Sequence, residues 1–180
     1  MLLSKTQKFK RKKFNLKIRA ILPKDITKNY IKSLNFNKFV RYNINDKITK
    51  KIQIKYVKDI NKSSNNILIG VFNQNKLVGT CGAQQKSKKK YYIGIFIFEK
   101  DFKGLKLSKI LIIFLSYFLK KIKSANYIFA SVNKKNFISH NLFKSLGFKE
   151  NFRVKKRFKS DVVYFIKTNH LIDFREVIKS

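Results

Sequence analysis

The sequence predicts an α/β domain, a central mixed β-sheet with helices on both faces, and three observations carry that prediction. Short runs rich in Ile, Val, Tyr and Phe alternate along the chain with segments whose apolar residues recur at helical spacing. Polar turn clusters, Asn73-Gln74-Asn75 and Ser160-Asp161, sit between apolar runs as hairpin turns do. The 180 residues fit one domain, and with 44% hydrophobic residues, 6 Gly and 1 Pro the chain can bury a core and is not loop-dominated.

Residues 1–15 form a basic lead (Lys8, Lys10, Arg11, Lys12, Lys13), expected to be mobile in part. Residues 16–180 read as a single domain. Leu16–Leu22 alternates as a strand. Pro23-Lys24-Asp25 opens a helix capped by Asp25 or Thr27, with Tyr30, Ile31 and Leu34 on its apolar face. A short helical piece at Lys38–Tyr42 follows, and Thr49 can cap a further helix carrying Ile52, Tyr56, Val57 and Ile60. Ile67–Phe72 and Lys76–Ala83 form a hairpin, Gln84–Lys90 a flexible basic loop, and Tyr91–Phe98 a central strand. A connection over Glu99–Leu107 leads to a strongly apolar helix from about Ser108 to Ile122. Tyr127–Val132 is a strand and Asn136–Leu146 a helix stopped by Gly147. Phe148–Phe158 and Val162–Thr168 close the sheet as a hairpin.

With 43 Lys+Arg against 9 Asp+Glu, the formal charge is +34. Such a chain attracts anions of many kinds. Only six of those cations are Arg, the residue whose fork suits base and phosphate reading, and no recognition helix or aromatic RNA-binding signature appears, so no specific nucleic-acid partner is expected. Lys, Asn, Ile and Phe are all encoded by A/T-rich codons, so base composition competes with function as the source of the charge. Cys81 stands alone, which rules out a disulfide framework or a cysteine zinc site and suits a reducing, cytoplasmic compartment. It reads as a small buried hydrophobe. The start lacks an apolar stretch of signal-peptide length. The longest apolar run, Ile110–Leu119, is about half the roughly twenty residues a membrane span needs.

Two junctions carry chemistry. Strand Tyr91–Phe98, a loop and then a helix from Ser108 would put free backbone N–H groups and a positive dipole end beside Lys103, Gly104, Lys106 and Lys109, as a phosphate site requires. Alone, such a junction is more often an ordinary turn. The second is Asn136-x-x-Ser139 with Leu146-Gly147-Phe148, whose plainer reading is an Asn-capped helix with Ile138, Leu142, Phe143 and Leu146 on the core.

Together these segments resemble the GNAT N-acetyltransferase superfamily over nearly the whole chain. Ile93-Gly94-Ile95-Phe96-Ile97-Phe98 followed by Phe102-Lys103-Gly104-Leu105-Lys106-Leu107-Ser108 resembles its fourth strand and acyl-CoA loop. Asn136-x-x-Ser139 with Leu146-Gly147-Phe148 resembles its second motif, in the branch holding ribosomal-protein N-terminal and amino-sugar acetyltransferases. Asp25-Ile26-Thr27, Tyr30, Leu34-Asn35, Arg41-Tyr42, Leu77-Val78-Gly79-Thr80 and Asp161 match that branch in order. Three positions depart. Lys106 stands where the loop usually has glycine, so its side chain either obstructs the cofactor or reaches a phosphate, Ser108 stands where glycine or alanine is usual, and Phe143 replaces a tyrosine that serves many members as general acid.

The resemblance implies an acetyl-CoA-dependent acyltransferase fold that moves acetyl to a primary amine by direct attack on the thioester, with no metal. Phe96, Ile97, Phe98, Lys103, Gly104, Leu105, Lys106, Leu107, Ser108, Lys109 and Asn136 would bind the cofactor. The backbone N–H of Phe96 would stabilise the oxyanion, Asn136 and Ser139 would serve the reacting centre, and Glu99 is the candidate base. His140 reads as a surface residue. The acceptor is expected to be an amino sugar, nucleotide-linked, or a protein N-terminus. The competing expectation is a non-catalytic basic protein of the same fold that binds RNA or the ribosome. Monomer and homodimer both remain open.

Overall fold

Eight strands in one sheet carry the fold. The computed structural model describes residues 6–11, 13–37, 47–152 and 161–171. In chain order the elements are β1 (Gln7–Arg11), β2 (Phe14–Ala20), α1 (Lys28–Phe36), α2 (Lys50–Lys62), β3 (Asn66–Asn73), β4 (Lys76–Ser87), β5 (Lys90–Ile97), α3 (Leu107–Lys123), β6 (Tyr127–Asn133), α4 (Phe137–Ser145), β7 (Lys149–Glu150) and β8 (Asp161–Lys167). The sheet order is β1-β2-β3-β4-β5-β6-β8-β7. All neighbours are antiparallel except β5 and β6, which run parallel with α3 as their crossover.

One face buries α3 and α4. Ile110, Leu111, Phe114, Leu115 and Phe118 of α3 pack with Ile69, Val71 and Val78 of the first half-sheet and with Ile128, Ala130 and Tyr164 of the second. α3 is apolar on nearly every side because it lies between these surfaces. Lys120, Lys121 and Lys123 sit in its last turn, where they complement the dipole. On the other face, Tyr30 and Leu34 of α1 and Val57 and Ile60 of α2 cover Leu68, Phe72 and Leu77, with Phe96 and Phe98 at the rim. No helix among the described residues is long and apolar enough to cross a membrane.

The caps follow the sequence. The Thr27 hydroxyl accepts the Tyr30 N–H, and the Thr49 hydroxyl accepts the Ile52 N–H. Gly147 takes φ +79° after α4, a conformation that favours glycine. Asp25 lies in a short 3-10 turn before α1, paired with Arg19 through two hydrogen bonds of 2.6 and 2.9 Å.

Several expectations are corrected. The basic lead contains a strand: Gln7–Arg11 pairs with β2, because Phe9 turns inward while Lys8 and Lys10 face out along an edge. Phe14 packs on Phe102 at 4.5 Å. The expected loop over Gln84–Lys90 is a tight turn at Lys88-Lys89, since Gln84 and Gln85 stay in register with Tyr92 and Tyr91. In α2 the buried face is Gln53, Val57 and Ile60, whereas Ile52 and Tyr56 are exposed. Ile138, expected in the core, is 84% exposed. The helical piece at Lys38–Tyr42 and most of the closing hairpin lie outside the described residues.

Candidate active site

The site begins with a break in the sheet. β5 and β6 pair only at Lys90–Tyr127, Tyr91–Ile128 and Tyr92–Phe129. Beyond Tyr92, β5 stays with β4 as far as Ile97, and β6 stays with β8 as far as Asn133. The half-sheets part and leave a wedge between Ile93–Ile97 and Ala130–Asn133. Because β5 and β6 are parallel, the ends of both strands and the starts of α3 and α4 gather at one end of the sheet.

The direction of each β5 amide follows from the ladder. The Lys89 carbonyl accepts the Tyr127 N–H, so the backbone of Lys89 faces β6. The Phe98 N–H bonds to the Val78 carbonyl, so the backbone of Phe98 faces β4. Backbone groups alternate along a strand, so Ile93, Ile95 and Ile97 turn their N–H and C=O groups into the wedge. Phe96, expected to offer its N–H to the donor, instead directs that group at Thr80 of β4, its partner in register. Ile95 and Ile97 replace it as donors facing the gap. The Phe96 and Phe98 side chains point to the α1–α2 face, and Ile95 and Ile97 to the α3 face. Gly94 is exposed, and a side chain there would meet nothing within 4 Å, so the strand is open to solvent on the Phe96 side.

The loop after β5 turns a run of backbone amides away from the sheet. A 3-10 turn at Lys100–Phe102 leads into Gly104 at φ +80° and Lys106 at φ +58°. Lys106 is therefore in the left-handed region as the N-cap of α3, with its carbonyl accepting the Ile110 N–H at 3.1 Å. The backbone N–H groups of Gly104, Leu105, Lys106, Leu107, Ser108 and Lys109 have no acceptor among the described residues. Leu105 and Leu107 bury their side chains and anchor the loop, while Lys103 and Lys106 are exposed around it. Unpaired amides, a helix dipole and lysines on one concave loop are what a pyrophosphate needs.

Across the wedge, Asn136 caps α4 by accepting the Ser139 N–H on Oδ1 at 3.2 Å. That bond fixes the amide orientation and leaves its NH2 group without a partner among the described residues. Phe137 and Ile138 are exposed just after it. Asp161, opposite Asn133 on β8, is buried and accepts the Ser131 hydroxyl at 2.6 Å.

Glu99 leaves β5 with both carboxylate oxygens engaged, one by Asn29 Nδ2 at 2.5 Å and the other by Lys76 Nζ at 2.9 Å. Its side chain is 13% exposed. Within the α1–α2 cluster the Tyr30 hydroxyl meets Gln53 and Thr80. Burial pushes that phenol up to about 12 against the hydrogen bonds from Thr80 and Gln53, so it stays protonated at neutral pH. Burial also drives the Cys81 thiol up, which fits a core residue and no nucleophile. Phe143 packs between Phe148 and Tyr164 at ring distances of 5.1 and 6.1 Å.

His140 is the residue that sequence reasoning misplaced. It is half-buried, bonded to Tyr164 and Asn133, and neither partner is close enough in sequence to signal the contact. The turn of the Ile93 and Ile95 backbones into the wedge depends on strand register, which residue types do not signal. Among the described residues no three His, Cys, Asp or Glu side chains group as a metal site would require.

Comparison with known proteins gives a consistent result. No curated protein sequence matches. Solved structures of the same fold include ribosomal-protein-S5-alanine acetyltransferase from Vibrio fischeri, at 13% identity and a TM-score of 0.75, covering 93% of this chain and 99% of that one. Spermidine N-acetyltransferase from Vibrio cholerae, in complex with CoA and spermine, is 16% identical with a TM-score of 0.70, over 86% and 96% of the two chains. PaiA N-acetyltransferase from Thermoplasma acidophilum, in complex with coenzyme A, is 17% identical with a TM-score of 0.68, over 84% and 98%. The acetyltransferase (GNAT) domain family matches residues 18–168, which span the wedge, the amide loop and the Asn136 cap, and the chain therefore belongs to the GNAT acetyltransferase family, whose members use acetyl-CoA.

Proposed function

We propose that this acetyl-CoA-dependent enzyme acetylates a small primary amine carried on an anionic acceptor, such as a nucleotide-linked amino sugar, in the cytoplasm. The observation that carries the reading is the wedge, with its inward-turned amides and the unpaired amides of residues 104–109 at the same end of the sheet. Ile93, Ile95 and Ile97 would hold the pantetheine arm as an added strand, and Gly104–Lys109 would hold the phosphates. The residues present fit the donor.

In the reaction the acceptor nitrogen attacks the thioester carbon, the N–C bond forms and the C–S bond breaks. The N–H of Ile95 or Ile97 stabilises the oxyanion. Asn136 directs its free amide NH2 toward the sulfur. Glu99 takes the amine proton through a water, and the Ser139 hydroxyl, or a water it holds, returns a proton to the thiolate. The lysines at positions 103, 106, 109, 134 and 135 surround this end of the sheet and favour an acceptor that carries negative charge. A protein N-terminus is the other acceptor class.

Thermal unfolding with acetyl-CoA, followed by acetylation of a nucleotide-linked amino sugar, spermidine and an alanine-started peptide, tests this reading. The expected result is a raised Tm with acetyl-CoA and fastest turnover of the amino sugar. An unchanged Tm together with tight, salt-sensitive RNA binding would establish the non-catalytic reading instead.

A further inference from the structure

The turn that presents Asn136 is closed by a side chain the reaction does not use. His140 Nε2 lies 3.0 Å from the Asn133 carbonyl oxygen, and Nδ1 lies 2.6 Å from Tyr164 Oη. A carbonyl only accepts, so Nε2 carries hydrogen and donates. The same oxygen accepts the Asn136 N–H at 2.8 Å, and the His140 N–H bonds to the Asn136 carbonyl at 3.1 Å. The last residue of β6, the cap of α4 and the ring of His140 thus form one closed set of hydrogen bonds around Asn133–Asn136.

The ring is held from behind. Tyr164 is fully buried on β8, and its hydroxyl lies 3.2 Å from Glu150 Oε1, which also meets Lys144 Nζ at 3.2 Å. The phenol has one hydrogen to place. With Nδ1 bare it goes to the imidazole; with Nδ1 protonated the ring donates to Tyr164, and Tyr164 donates to Glu150. Either arrangement keeps the Nε2 hydrogen on Asn133. The grip on the turn is therefore the same in both arrangements, with Tyr164 acting as the swivel.

We infer that His140 is a positioning residue for Asn136: by sharing the Asn133 carbonyl it fixes the β6–α4 turn, and so the direction in which the free Asn136 amide meets the donor. This rests on the reading that Asn136 contacts acetyl-CoA. His140→Ala should raise KM for acetyl-CoA and lower kcat/KM about tenfold, as expected for misplacing a contacting group. His140→Gln, whose amide can still donate to Asn133, should recover most of that loss. Tyr164→Phe removes only the swivel and should cost less than His140→Ala.

The deciding measurement is a double-mutant cycle. In an Asn136→Ala background, His140→Ala should change kcat/KM less than about twofold, because the group it positions is already gone. A residue important only for stability would lower Tm equally in both backgrounds without this kinetic coupling. Additive kinetic losses, or a His140→Ala enzyme with wild-type kinetics, overturn the positioning role and leave the donor contact of Asn136 standing. A neutral Asn136→Ala overturns both.

Discussion

The ammonium of Lys76 lies 2.9 Å from a carboxylate oxygen of Glu99 at the point where β5 leaves the sheet. Asn29 occupies the other oxygen, so the carboxylate joins the start of β4, helix α1 and the loop leading to α3. Glu99→Gln keeps the shape but removes the charge and the basicity. As the proton acceptor its loss should lower kcat by about a hundredfold, with acetyl-CoA affinity unchanged, in steady-state and binding measurements. An unchanged kcat would leave Glu99 as a latch between those elements.

Lys106 adopts a backbone conformation that costs a non-glycine residue about 1–2 kcal/mol. Lys106→Gly should therefore raise Tm without ligand by a few degrees, corresponding to about 1 kcal/mol. Coenzyme A affinity should fall only modestly and become less salt-dependent, because the backbone cradle is retained and one counter-charge is lost. A rise in affinity on calorimetric titration would show that the side chain obstructs the cofactor.

The alternation of β5 has a signature in hydrogen exchange. The amides of Ile93, Ile95 and Ile97 face the wedge and should exchange quickly without ligand, while those of Gly94 and Phe96 are held by β4 and exchange slowly. Acetyl-CoA should slow the odd-numbered set selectively. Uniform protection before and after ligand would contradict the donor-as-strand geometry.

Asp25 sets an acid limit on stability. Burial pushes its carboxyl up, but the Arg19 hydrogen bonds, the Leu22 N–H and the charges of Arg19 and Lys24 outweigh that and hold it below the ordinary value. With the folded value depressed, the stabilisation is fully present above the unfolded carboxylate pKa and is lost as pH falls through the lowered one. Asp25→Asn should cost about 1–2 kcal/mol at neutral pH, since the pair is only partly withdrawn from water, and flatten the acid side of a Tm-against-pH curve.

Much of this architecture is legible in the sequence where a local rule decides it. Thr27, Thr49 and Asn136 cap helices as their side chains dictate, and Gly147 ends α4. Local rules fail where a distant partner decides. The apolar positions of α2 allow more than one face inward, and the sheet selects Gln53, Val57 and Ile60. Gln84 and Gln85 look like a loop because backbone pairing does not require apolar side chains. The site shows the same division. Asn136 stands out by type and spacing, whereas the Gly104–Lys109 loop is distinguished only by its place between strand Tyr91–Phe98 and the Asn136 motif. The choice between Phe96 and its isoleucine neighbours is a matter of register, and the place of His140 depends on Tyr164, 24 residues further on.

Cys81 sits in the middle of β4, between Ile69 and Ile95, with no exposed surface. The chain thus carries a single thiol in the half-sheet that forms one wall of the wedge. Alkylating reagents reach it only when β4 separates from its neighbours, so the rate of labelling counts those openings directly. One covalent tag per molecule, read by mass, becomes a gauge of how firmly that half of the protein is held together, and of how much tighter acetyl-CoA holds it.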